Sequence, residues 1–142
     1  FVKYPIYSDE DAGKREADYN EIRLAEIYYS LAECKFKAND VDGAAKLLNA
    51  VRKRNYPQDT WAEYLYKPEG TVTLTQDELY DEWGREFLAE GRRRTDLIRW
   101  GLYCTEEWWD KKPDADSHWD IFPIPRDMMG ADHTLKQNPG YN

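Results

Sequence analysis

Two histidines, His118 and His133, are all that the chain offers for imidazole chemistry; they stand fifteen residues apart with Asp116, Asp120 and Asp132 as neighbours. A metal site needs three or four ligands that converge, and these two read as histidines in solvated loops. There is no G-x-S-x-G elbow, no phosphate-cradling glycine loop and no H-E-x-x-H helix in the sequence. Twenty-eight Asp and Glu residues could always supply a carboxylate pair for glycoside hydrolysis. Most of them, however, begin helices or stand i,i+4 to a base, which accounts for them structurally. No catalytic residue, metal ligand or cofactor is expected, and the chain reads as a non-enzyme.

Two other chemistries remain: charge and aromatic stacking. The stretch EFLAEGRRRTDLIRWG, Glu86 to Gly101, is the densest run of charge. On a helix Arg92, Arg93 and Arg94 point about 100° apart, so they cannot form one flat anion-binding patch. Glu90 and Arg94 form an i,i+4 pair in the favourable order, Asp96 and Arg99 an i,i+3 pair, and Glu86 flanks Arg85. Glu86, Glu90, Arg93, Arg94, Asp96 and Arg99 are therefore expected to form an internal ion-pair network, fastening two short helices across Gly91. Trp61, Tyr64, Tyr66, Trp108 and Trp109 fall outside the helical stripes. Rings with polar neighbours can stack on the apolar faces of sugars; they can equally cover helix ends or face a part of the protein beyond this chain. Both readings stand at this point.

The elements that position these residues follow from periodicity. Residues 1–19 read as an extended lead-in. From Glu21 the pattern is helical, with Ile22, Ala25, Tyr29, Ala32 and Phe36 on one face and Leu24, Tyr28, Leu31 and Ala38 on another; such a helix expects neighbours on both sides. Asp40 is placed to cap a second helix that buries Val41, Ala44, Ala45, Leu48 and Val51. The pair, residues 20–55, has the form of one tetratricopeptide repeat, with Ala32 and Ala44 permitting close approach. Residues 57–74 read as an aromatic loop. Thr75-Gln76-Asp77-Glu78 is a capping box, with Leu74 and Leu79 as its hydrophobic staple, and it opens a helix pair over 75–101 that kinks near Gly91. Residues 102–142 read as loops and an extended tail. The expected class is all-α: a tetratricopeptide-like helix pair, further helices, long irregular aromatic-rich loops and a C-terminal tail.

Composition narrows function further. With 142 residues the chain makes one domain, and a formal charge of −8 argues against a nucleic-acid partner. Six Trp and eleven Tyr exceed what a small core can hide. Cys34, in an apolar helical run, reads as a buried free thiol; a bridge to Cys104 would need helix and loop to meet. No apolar run is long enough to span a membrane and no signal peptide is visible. The absence of an initial Met reads as processing or excision.

Four blocks in order carry a family resemblance: RLAEIYYSLAECKFKANDVDGAAKLLNAVRKR, LTQDELYDEWGREFLAEGRRRTDLIRWG, IFPIP and LKQNPGY. From Arg23 to Tyr141 the chain resembles the C-terminal part of the SusD/RagB family, the nutrient-capturing outer-membrane lipoproteins of Bacteroidetes. The resemblance implies tetratricopeptide-like helix pairs in a mostly helical scaffold, and non-catalytic capture of a glycan. It implies delivery to a SusC-like TonB-dependent transporter, and attachment to the cell-surface side of the outer membrane through a lipidated N-terminal Cys that this chain lacks. It also implies that the N-terminal part of the same protein is a partner of this portion. No binding residue transfers to a family motif position here. The other reading kept open is a tetratricopeptide-type scaffold for a protein or peptide ligand.

Overall fold

In a computed structural model, residues 20–141 are described; the expected lead-in over 1–19 lies outside them. The described residues form six α-helices, and their β structure is confined to two isolated bridges, Tyr66–Val72 and Trp108–Lys111. The all-α expectation holds. The chain divides into two compact units, one ending at Glu86 and the other starting at Phe87.

In the first unit, α1 (Leu24–Lys37) and α2 (Val41–Arg52) pack as an antiparallel hairpin. Its tight turn has a chemical cause. Asn39 takes the left-handed conformation at φ 62°, one of the few non-glycine residues that does so readily. The amides of Asn39 and Asp40 then close back on the carbonyls of Phe36 and Lys35, each at 2.9 Å, satisfying the end of α1. Asp40 caps α2 as its sequence position suggests, its Oδ1 accepting the Gly43 amide at 2.9 Å. Ala32, Ala44 and Ala45 are fully buried. With no side chain beyond Cβ, these positions are where two helices can approach closely.

Only one of the two apolar faces of α1 is covered. Ala25, Tyr29 and Ala32 are buried, whereas Leu24, Ile27 and Leu31 are exposed. Cys34 lies in that exposed stripe, three residues on from Leu31, so the thiol expected to be buried is exposed; it sits on an apolar face of α1, but on the uncovered one.

Residues 57–74 are not wholly loop. After Pro57 a 3-10 turn runs straight into α3 (Trp61–Tyr64). The chain then doubles back, the Val72 amide bonding the Leu65 carbonyl at 3.1 Å. Gly70 sits at the closest approach: a Cβ there would lie 2.2 Å from the Leu65 oxygen. Next comes α4 (Gln76–Glu86), opened by Thr75, whose hydroxyl accepts the Glu78 amide at 3.1 Å. Leu74 and Leu79 of the expected staple are both buried. The other arm of the capping box is replaced, for the Glu78 carboxylate accepts the Tyr66 hydroxyl at 2.9 Å instead. Inside the unit, Trp83 meets Tyr29 edge-on, centroids 5.6 Å apart, a geometry worth about 0.5–1.5 kcal/mol beyond the area buried.

The second unit carries a sharper break than a kink. After α4, Ala89 and Gly91 adopt φ of 61° and 72°, which no right-handed helix tolerates. α5 (Arg93–Arg99) follows and stops at Gly101, φ 74°. A short helix missed by periodicity, α6 (Arg126–Ala131), starts directly after Pro125, and Pro at a helix start was its readable signal. The tail is tied to the IFPIP segment by side chains: the Gln137 amide accepts from Ile124 N–H at 2.7 Å and donates to its carbonyl at 2.9 Å. Asn138 adds a bond to the Phe122 carbonyl at 2.8 Å, and the Tyr141 hydroxyl donates to that of Ile121 at 2.8 Å. Gly140, at φ 88°, passes so close to His118 that a Cβ would lie 2.4 Å from the histidine Cβ. The NPGY ending is thus a clasp, with the Gly required both by conformation and by space.

Candidate functional site

A buried charge cluster of the first unit joins α2 to α4, a pairing that no local spacing announces. Arg52, in the last turn of α2, is buried, and so is Glu82 on α4. Their side chains pair, and Glu82 also accepts the Tyr29 hydroxyl at 2.7 Å and Arg85 Nε at 2.9 Å. Arg52 donates further to the Tyr66 hydroxyl at 3.0 Å and, from Nε and Nη2, to the Tyr64 carbonyl at 3.1 and 2.6 Å. Asn49 completes the frame by exchanging two 2.8 Å bonds with the Tyr66 backbone. Burial, reinforced by the Glu82 carboxylate, pushes the hydroxyls of Tyr29 and Tyr66 far above the ordinary tyrosine range. Both stay neutral and serve as donors. This cluster braces structure: every polar atom of Arg52 is directed at the protein itself.

The six residues expected to form a network lie on different elements. Glu86 pairs with Arg23, at 2.5 Å, and with Arg54, both in the first unit. Asp96 and Arg99 pair at 2.9 Å. Arg94 does not reach Glu90; its guanidinium donates to the carbonyl of Trp119 at 2.6 Å and lies 3.9 Å from the Phe122 ring centroid. The break at Ala89 and Gly91 ends the helical register on which an i,i+4 pair depends. Glu90 is buried. Arg93 lies 5.8 Å from the Trp100 ring and lines a cleft.

That cleft, in the second unit, has a volume of about 310 Å³ and is lined by Leu97, Tyr103, Trp108 and Trp109 with Arg93, Asp110 and Lys111 at polar positions. A tight turn builds it: Trp108 and Lys111 exchange backbone bonds of 2.8 and 3.2 Å, which puts Trp109 and Asp110 at the tip. Trp109 is 99% exposed, an unusual cost for the largest apolar side chain unless something covers it. Lys111 is steadied by Asp114 at 2.6 Å. Tyr103, Asp110 and Lys111 were not singled out by sequence; the four-residue turn that carries Asp110 and Lys111 has no glycine or proline to announce it.

The remaining aromatic candidates separate. Trp61 and Tyr64 share α3 in the first unit, Trp61 half-buried and Tyr64 38% exposed. Tyr66 leaves the set of possible ligand-stacking residues, because it is fully enclosed and its hydroxyl is engaged in the Glu82 cluster. His118 is half-buried rather than freely solvated, bonded to Asp116 at 2.5 Å and packed on Trp119 and Tyr141. Among the described residues no group of three or more His, Cys, Asp or Glu is placed to hold a metal ion.

Both cysteines are free thiols, Cys34 exposed and Cys104 buried. Burial, followed by the bond to Asp120 at 3.3 Å, pushes the Cys104 thiol up to about 11. Since the thiolate is the reacting form, a maleimide at about pH 8 should modify Cys34 quickly and Cys104 slowly. Mass spectrometry of the labelled peptides checks this, and equal rates would contradict the enclosed position of Cys104.

The family model described as the SusD family matches residues 1–141. The starch-binding protein SusD of Bacteroides thetaiotaomicron is 35% identical over 99% of this chain, which spans 25% of that protein. A SusD-like protein of Formosa agariphila is 36% identical over 56% of the chain and 15% of its own length. A crystal structure of a SusD-like protein from Bacteroides fragilis superposes with a TM-score of 0.63, at 24% identity, over 88% of this chain and 26% of the other. The chain therefore spans about a quarter or less of the length of these relatives.

Proposed function

The chain belongs to the SusD family, and from that membership we propose that the intact protein captures glycans without cleaving them. In this reading the chain is the C-terminal, largely structural portion of a longer lipoprotein held at the cell-surface side of the outer membrane. The captured glycan passes to a SusC-like TonB-dependent transporter. A relative named for starch binding supports the ligand class. No helix among the described residues is long and apolar enough to cross a membrane.

The observation that carries the reading onto this chain is the tryptophan turn. Trp109 is exposed beside Trp108 in the cleft, with Arg93, Asp110 and Lys111 within the same lining. Flat rings suit the C–H faces of a pyranose, and charged groups at the edge form strong hydrogen bonds to its hydroxyls. Affinity electrophoresis in gels containing soluble polysaccharides tests it. The intact protein should be retarded by at least one glycan, and Trp109→Ala should weaken that binding by about 2 kcal/mol, roughly thirtyfold, as for a dominant aromatic contact. A wild type that no glycan retards, or a purified protein that cleaves the glycan it binds, sinks the proposal. Capture of a helical peptide with every sugar inert would favour the tetratricopeptide-type scaffold instead, for which the exposed stripe of α1 is the available face.

A further inference from the structure

Three aromatic side chains of the first unit have no part in the cleft just described, and their arrangement is too ordered for incidental surface residues. Trp61 and Tyr64 are three apart on α3 and so share a face. The Tyr64 ring stacks on Tyr56 almost in parallel, centroids 4.7 Å apart and planes at 8°. Stacking occupies one face of Tyr64, yet the residue remains 38% exposed. The polar edge of Trp61 is satisfied, its Nε1–H donating to the Tyr56 carbonyl at 3.0 Å, which locks the indole to the same short segment.

The support beneath these rings is unusually firm. The Tyr64 carbonyl receives two bonds from buried Arg52, and the Ala62 carbonyl accepts the Thr71 amide at 3.0 Å. A fixed backbone and stacked rings leave little conformational entropy to lose on binding. Polar groups surround the rings. Lys53 lies 5.0 Å from the Trp61 centroid and pairs with Glu69, and the adjoining Glu63 carboxylate raises the pKa of the Tyr64 hydroxyl. Rings with ammonium and carboxylate groups nearby match a ligand with an apolar face and a hydroxyl-bearing edge, which describes a pyranose.

We propose that Tyr56, Trp61 and Tyr64 form a second carbohydrate platform, so that one chain carries two glycan sites, one on each compact unit. The inference rests on the glycan-capture reading, and its test separates the two. Isothermal titration of the 142-residue chain with maltoheptaose, and with any polysaccharide fragment that retards it in gels, reads the number of sites. Two sites are expected in the wild type, falling to one in Trp109→Ala and to one in Tyr64→Ala. Tyr64→Ala is chosen because it deletes the ring and keeps the carbonyl that holds Arg52. Trp61→Ala serves as the second variant, and thermal melts confirm that each variant is folded. A single site that disappears in Trp109→Ala and is untouched in folded Tyr64→Ala and Trp61→Ala overturns the second platform while sparing the first. No binding by the wild type to any of these sugars overturns both.

Discussion

Arg52→Ala should cost this protein about 3–5 kcal/mol of folding stability, a large part of the ~5–15 kcal/mol that holds a typical domain together. The reason is what the substitution leaves behind. Glu82 is buried, and without Arg52 it keeps the Tyr29 hydroxyl and the partly exposed Arg85 as partners. The Tyr64 carbonyl loses two donors and the Tyr66 hydroxyl one. Because a pair of buried charges is repaid mainly by its own geometry, removing both members is milder than removing one. Arg52→Met with Glu82→Leu should therefore recover much of the loss. Urea unfolding followed by circular dichroism measures both, and a single-variant loss below about 1 kcal/mol would mean that the pair is merely a surface contact.

Arg94→Ala should cost about 2–3 kcal/mol, more than an exposed helical ion pair could account for. Its guanidinium donates to the Trp119 carbonyl at 2.6 Å, and it lies against the rings of Phe122 and Tyr103 at 3.9 and 5.0 Å. A charged hydrogen bond contributes about 1.5–3 kcal/mol, and cation–π contact adds about 0.5–1 kcal/mol at partly exposed sites. An i,i+4 pair with Glu90 would supply only about 0.2–0.5 kcal/mol. Magnitude thus separates the two accounts. Arg94→Lys should rescue little, since an ammonium lacks the planar fork that can donate and stack together. A double-mutant cycle with Glu90→Gln should show no coupling; a coupling that accounts for the whole loss would restore the sequence-based pairing.

Much of the fold was legible because the relevant physics is local. The capping residues Asp40 and Thr75 are separated by three residues from the amides they accept, and helical periodicity placed α1, α2 and α4. The order of the four motif blocks identified the family. Aromatic surplus correctly pointed to exposed rings, of which Trp109 is the extreme case. Local pattern failed where a short element depends on a neighbour. Neither α3 nor α6 is long enough for a periodic signal, and Ala89 carries a left-handed conformation that alanine does not advertise.

What the sequence determined by itself is composition-deep and motif-deep: an acidic, helical chain of this family, without a recognised catalytic motif, carrying more aromatic rings than a core can absorb. Tertiary structure alone decided which of those rings face outward. Tyr64 and Tyr66 are two residues apart, yet the first is 38% exposed and the second is fully buried. It also decided the partners of the arginines. Arg94 is spent on a carbonyl twenty-five residues away, and Arg52 on a carboxylate thirty residues away. The physical reason is common to both. Burial and long-range pairing are properties of where the chain returns to itself, and a periodic pattern can say which face of a helix is apolar without saying what, if anything, comes to cover it.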